Sequence, residues 1–206
     1  MRPNGRESLK TGSMGEEDLI SRAQAGEIEA FNSLVEQYEG LVYNIAFRMM
    51  GNEAVAEDAT QDTFLSAYKS MGSFRGGNFK SWLLRITANC CHDLLRSARR
   101  SRTTSLDALL ENPGAPPLTD HSESPEDYAL HHELGRLLSK GLTNIPAEQR
   151  LAIILYDIQG LSYEEISQVT GSSLGTVRSR LSRGRAHLRN FLRQHKELLP
   201  FEFRLK

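Results

Sequence analysis

The chain has 206 residues, 39% apolar content and a formal net charge of −1. That is enough for one large domain or two small ones, and too balanced to hold a polyanion by bulk charge. There is no run of about 18 apolar residues and no hydrophobic signal core. Membrane insertion is therefore not expected, and the expected compartment is the cytoplasm. The two cysteines, Cys90 and Cys91, are neighbours. On a helix they diverge by about 100°, which suits neither a disulfide framework nor a metal pair.

In chain order, residues 1–15 are polar and aperiodic and read as a disordered extension. Leu19, Ile20 and Ala23 suggest a short helix ending near Gly26. From Phe31 to Met49 apolar residues recur at three- and four-residue steps, predicting one long amphipathic helix stopped at Gly51-Asn52. A third helix is expected from about Glu53 to Met71, with Val55, Ala59, Phe64, Leu65 and Tyr68 as its apolar set. After the glycine-rich stretch 72–78, a fourth is expected from Phe79 to about Arg100, its stripe being Phe79, Trp82, Leu83, Ile86, Cys90 and Leu94.

Residues 105–133 carry seven acidic side chains and no Lys or Arg, while residues 176–196 carry seven basic ones and no Asp or Glu. The acidic segment also contains the breakers Asn112–Pro117 and Ser122–Pro125, with at most a helical turn at Leu106–Leu110, and reads as a flexible tether. Beyond it, helices are expected over Tyr128–Gly141, from Pro146 to Tyr156, after Ser162, and from about Ser173 to His195. No sustained period-two alternation occurs. The expected fold is all-α: a helical domain over 16–103, an acidic linker over 104–126, a second helical domain over 127–195 and a tail over 196–206.

The strongest local signal is Leu161–Leu181. Ser162 with Glu165 three residues on forms a capping box, Gly171 marks a sharp turn of positive φ, and the next helix repeats Leu174, Val177, Leu181, Leu188 and Leu192 on one stripe. This is a helix-turn-helix, whose second helix enters the major groove of duplex DNA. Away from the stripe stand Thr176, Ser179, Ser182 and Arg183, flanked by Arg178 and Arg180. Arginine pairs bidentately with guanine, and hydroxyls serve several bases or phosphate. Arg185 lies close to the stripe, favouring packing or phosphate contact.

Phe74 to Arg100 combines aromatics, a glycine loop and clustered arginines, the mixture that single-stranded nucleic acid needs for stacking and charge. Phe79 and Trp82 also fit a core stripe, whereas Phe74, in the loop, is the better candidate for a stacking or pocket role. Gly76-Gly77 lacks the preceding strand and following Lys-Ser/Thr of a phosphate loop. Glu57, Asp58, Gln61 and Asp62 form an acidic ridge on the third helix, which charge alone reads as a solvated face. No carboxylate cluster at metal spacing and no nucleophile–base pair are seen, so neither catalysis nor a cofactor is expected.

Four segments in order, 57–68, 74–89, 145–150 and 161–185, resemble the extracytoplasmic-function (ECF) sigma factors of the sigma-70 family. The resemblance covers about residues 16–195. It implies an initiation factor, not an enzyme, whose first domain docks through Asp58, Gln61 and Asp62 on the clamp helices of the largest subunit of core RNA polymerase. That domain would melt the minus-ten element and hold opened promoter DNA with Phe74, Arg75, Asn78, Lys80, Trp82, Arg85 and Asn89. The second domain would seat on the polymerase flap and read the minus-thirty-five duplex with Thr176, Arg178, Ser179, Ser182 and Arg183. An anti-sigma partner is implied as well. The loop Phe74–Phe79 is one residue shorter than the common family form, and Ser182 is smaller than the side chain often found there. Promoter elements about 16 base pairs apart lie roughly 55 Å from each other. A tether of roughly 24 residues reaches about 80 Å at its limit. The rival reading is a stand-alone helix-turn-helix regulator with a sensor or dimerisation domain.

Overall fold

The computed structural model describes residues 13–104 and 125–198. Eight helices fill them: α1 (Ser13–Gln24), α2 (Ile28–Met50), α3 (Glu53–Ser70), α4 (Phe79–Thr104), α5 (Pro125–Thr143), α6 (Ala147–Ile153), α7 (Tyr163–Thr170) and α8 (Leu174–Gln194). The described residues contain no strand, so the all-α expectation holds. Helices α1–α4 form a first lobe and α5–α8 a second.

Local chemistry sets most boundaries. Gly51, at φ 70°, ends α2 by donating its N–H to the Phe47 carbonyl, and the Asn52 side chain caps α3 by accepting from the Val55 N–H at 3.0 Å. Ser162 and Glu165 form the expected capping box on α7, and Gly171, at φ 62°, closes that helix. Ser173 then caps α8, accepting from the Thr176 N–H at 3.2 Å. The α6 helix widens at its end into a π-type turn, Ile154–Ile158, in which the Gln159 N–H reaches back five residues to the Ile154 carbonyl at 3.0 Å.

Several expectations shift. Helix α1 begins at Ser13, so the last three residues of the expected disordered extension are helical. The expected linker 104–126 gives Thr104 to α4 and Pro125 and Glu126 to α5. Proline suits that position, because the first helical N–H has no partner to lose. The Leu106–Leu110 turn lies outside the described residues. Lys196–Leu198, at the start of the expected tail, form a short 3-10 turn.

One helix buries a different face from the one expected, and another buries more than the expected stripe. On α3 the buried residues are Ala56, Ala59, Thr60, Thr63 and Ala67, while Leu65 and Tyr68 are 55% and 43% exposed. Small side chains let α3 approach its neighbours closely, and the Thr60 and Thr63 hydroxyls donate to the Ala56 and Ala59 carbonyls at 2.8 and 2.7 Å, so neither is left unpaired. On α4 the expected Phe79 and Leu83 are buried, and Leu84, Ala88 and Cys91, rather than Cys90, are buried beside them.

The core has two parts. One lies within the first lobe and joins Phe31 and Leu34 of α2 to Ala67, Phe74, Phe79 and Leu83. The other runs through both lobes: Ile45 and Met49 of α2 and Leu84, Ala88 and Cys91 of α4 share it with Leu142, Leu151, Ile154, Ile166 and Leu181. Arg150 crosses the same seam. It is 7% exposed and donates to the Met49 carbonyl of the first lobe and to the Thr143 and Ile145 carbonyls of its own at 2.6 and 3.0 Å.

Candidate nucleic-acid and docking surfaces

The helix-turn-helix is built on α6. Val177 and Leu181 of α8 point inward, and Gly184 lets the two helices touch; a Cβ there would lie 2.8 Å from the Ile153 side chain and 3.1 Å from the Gln149 carbonyl. The opposite face of α8 carries Arg178, Ser182 and Arg183, all exposed, with Thr176 and Ser179 half-buried at its edge. Ser179 donates to the Thr176 carbonyl at 2.9 Å, which leaves its oxygen as an acceptor. Leu174, expected on the buried stripe, is 37% exposed because it sits in the first turn, before α8 meets α6.

The arginines of α8 divide by environment. Arg178 lies 5.8 Å above the Tyr163 ring. Arg180 is tied to the Ser172 hydroxyl at 2.7 Å and to Glu148 at 2.6 Å. Arg185 forks onto Asp157, with Nε 3.0 Å from Oδ2, and lies 5.1 Å over the Tyr156 ring. Its hydrogen bonds to that carboxylate raise its pKa. Packing, expected for Arg185, is thus what the geometry gives it, and Arg178, Ser182 and Arg183 keep their polar groups toward solvent.

In the first lobe, Asp58, Gln61 and Asp62 stand together on the exposed face of α3. Leu65, seven residues after Asp58, falls in the middle of the same face at about 100° per residue. Sequence reasoning assigned Leu65 to the core and so missed an apolar centre in a polar ridge, the pattern of a docking surface. The signal was available: a helix whose small residues at 56, 59, 60, 63 and 67 already fill one face leaves its large ones outside.

The loop before α4 is held from within. Gln24 of α1 donates to the Phe74 carbonyl at 2.7 Å, and Phe74 is 7% exposed, with its ring centroid 5.7 Å from Phe79 and 5.2 Å from Trp82. Of the stacking or pocket role expected for Phe74, this conformation leaves no ring free for stacking on a base, because the loop folds back onto the aromatic cluster. Asn78 spends its side-chain oxygen capping α4, accepting from the Ser81 N–H at 2.9 Å. Arg75 and Asn78, both exposed, flank Gly76 and Gly77, which stand at φ 86° and 91°. Asn78, Trp82, Arg85 and Asn89 share one face of α4 at three- to four-residue steps, whereas Lys80 lies about 160° round the helix from Trp82, toward the second lobe. Among the described residues there is no group of three metal-ligating side chains, and no helix is long and apolar enough to cross a membrane.

Sigma-70 region 2 matches residues 34–101, and sigma-70 region 4 matches residues 136–188. The ECF RNA polymerase sigma-E factor of Salmonella typhimurium is 35% identical over 175 residues, covering 84% of this chain and 91% of that protein. The chain belongs to the ECF RNA polymerase sigma factors. SigE of Mycolicibacterium smegmatis is 41% identical over 168 residues, covering 81% of this sigma factor and 63% of that one. Among solved structures, the sigma factor RpoE of Bartonella quintana, in complex with the anti-sigma factor NepR, superposes with a TM-score of 0.62 at 28% identity, covering 79% of this chain and 96% of that one. The region 2 match spans most of α2 to α4, and the region 4 match runs from within α5 to within α8. Both in one chain disfavour a stand-alone regulator.

Proposed function

We propose that this sigma factor works in the cytoplasm as a non-catalytic initiation subunit. In this reading residues 16–103 dock on core RNA polymerase and open the minus-ten element, and residues 127–195 read the minus-thirty-five element. The observation that carries it is the coexistence, in family order, of the α3 ridge and a capped helix-turn-helix with an exposed arginine–serine face. Asp58, Gln61 and Asp62 surround Leu65 as the docking surface for the clamp helices of the largest subunit, and the second lobe seats on the flap. Asn78, Trp82, Arg85 and Asn89 face the opened strand, with Arg75 and Lys80 at its margins; Phe74 supports the aromatic cluster and reaches DNA only if the loop lifts. Thr176, Arg178, Ser179, Ser182 and Arg183 face the duplex. The solved complex of a related sigma factor with its anti-sigma factor supports an anti-sigma partner here as well.

Purified chain added to sigma-free core polymerase should yield transcripts from a selected set of promoters. Failure of the folded chain to bind core polymerase in a pull-down would remove this reading.

A further inference from the structure

Residues 71–78, which lead into the DNA-facing surface of α4, are fastened at both ends. At the far end the Asn78 side chain caps α4. At the near end the fastening comes from another helix. Gln24, the last residue of α1, donates from Nε2 to the Phe74 carbonyl at 2.7 Å and to the Met71 carbonyl at 3.4 Å. Those carbonyls flank a 3-10 turn that the Phe74 N–H closes onto Met71 at 3.1 Å. Two acceptors need two hydrogens, and the amide nitrogen of glutamine carries two. Gln24 is itself held in place. Its neighbour Ala23 is buried in one cluster with Met71, Phe74 and Phe79. Gly26, at φ 94°, turns the chain, and the Gly26 and Glu27 N–H groups donate back to the Ala23 and Arg22 carbonyls at 3.1 and 3.0 Å. Arg22 forks onto Glu27, the residue before α2, with Nε 2.8 Å from Oε2. Between Phe74 and Asn78 stand Arg75, Gly76 and Gly77, all exposed.

We propose that Gln24 is a positioning residue for the minus-ten surface: it fixes the backbone at Phe74, and with it the ring that braces Trp82, before promoter DNA arrives. The proposal rests on the sigma-factor reading above, and Gln24 lies ahead of residues 34–101 that the region 2 match covers. The Phe74 and Trp82 ring centroids are 5.2 Å apart, and Trp82 shares its face of α4 with Asn78, Arg85 and Asn89. Without the Gln24 bonds, the glycine pair lets the segment sample other conformations. A strand that binds there must then order the segment as it binds, which weakens its hold. A hydrogen bond of this kind shifts an equilibrium about two- to tenfold. The effect is confined to one surface, because the Gln24 bonds reach neither the α3 ridge nor α8.

The test uses the full chain. Trp82 is its only tryptophan, so fluorescence of the free protein reports this surface alone. Gln24→Leu keeps the bulk and removes the donor. It should raise acrylamide quenching of Trp82 above wild type, with helical circular dichroism unchanged. Assembled with core polymerase, the same variant should lose about two- to tenfold in affinity for a single-stranded oligonucleotide carrying the minus-ten sequence that wild-type holoenzyme selects. The loss should be smaller on a scrambled oligonucleotide, so the ratio between the two falls. Core-polymerase affinity and minus-thirty-five duplex preference should keep their wild-type values. Gln24→Glu sets a carboxylate against both carbonyls and should lose at least as much; it carries the test if the leucine variant loses helicity. Gln24→Lys keeps a donor and should recover most of the loss. The proposal is overturned by wild-type quenching or wild-type minus-ten affinity in the donorless variants, by a loss equal on both oligonucleotides, or by a loss that Gln24→Lys shares in full. A wild-type holoenzyme that selects no minus-ten sequence would instead remove the sigma-factor reading, so the two failures are separable.

Discussion

Replacing Arg150 with Met should destabilise the chain by about 3 kcal/mol, and the figure follows from its surroundings. The guanidinium serves three carbonyls, those of Met49, Thr143 and Ile145, and each buried acceptor left bare costs about 2 kcal/mol. Against that loss of roughly 6 kcal/mol stands the guanidinium's own burial. Desolvation lowers its pKa from 12.5 to about 10, a penalty of roughly 3 kcal/mol that methionine does not suffer. Urea unfolding followed by far-ultraviolet circular dichroism should show the midpoint falling by about 1.5 M at an m-value of ~2 kcal/mol/M. Arg150→Lys keeps the charge but, as a point donor, cannot fork to three carbonyls, and should fall between. A methionine variant within about 0.3 M of wild type would mean that burial cancels every hydrogen bond, and the reasoning would fail.

Asp58→Arg combined with Asp62→Arg, and separately Leu65→Asp, should each weaken core-polymerase binding at least about tenfold in a pull-down titration with helicity unchanged; unaltered binding would take α3 out of the interface. Arg183→Ala should cost about 1–3 kcal/mol of affinity for preferred duplex over scrambled duplex in a gel-shift assay, and an equal loss on both would assign it to phosphate. Arg185→Ala should leave that preference intact and lower stability by about 0.5–1 kcal/mol, because it removes an ion pair and a ring contact. Burial pushes the Cys91 thiol from 9.0 up to about 12, so below pH 9 folded and unfolded chains hold the same proton, while above it only the unfolded chain releases it. Stability should therefore fall with rising pH between 9 and about 12 by about 1.4 kcal/mol per unit more in wild type than in Cys91→Ala, read from urea midpoints. Parallel slopes would contradict the burial.

The parts of the fold that the sequence discloses are those set by neighbouring residues. Ser162 with Glu165, Gly171 and Ser173 each satisfy or turn the backbone within a few positions, so the helix-turn-helix and its outward arginines can be placed without knowing what surrounds them. Tertiary packing hid the rest. Large apolar residues on α3 suggested a core face, yet close approach of helices selects Ala56, Ala59 and Ala67 and leaves Leu65 to solvent. Phe74 lay in a glycine-rich loop, and only Gln24, fifty residues earlier, and the rings of Phe79 and Trp82 determine that it turns inward. The bond from Arg150 to Met49 spans 101 positions, and no local pattern announces it.

The breadth of the buried arc on α4 links these failures to the behaviour of the molecule. A surface helix in a small lobe needs one apolar stripe, and Phe79 and Leu83 supply it. Leu84, Ala88 and Cys91 begin a second, which is covered only because the other lobe lies against it. Ala88 and Cys91 are small, but Leu84 on this side and Leu151, Ile166 and Val169 on the other share the cluster, and a large aliphatic side chain covered there contributes about 1.5–3 kcal/mol. Arg150, once its Met49 contact is lost, still has two carbonyls of its own lobe. Any agent that separates the lobes must favour the parted form by about 1.4 kcal/mol for each tenfold shift in population, over and above that lost burial.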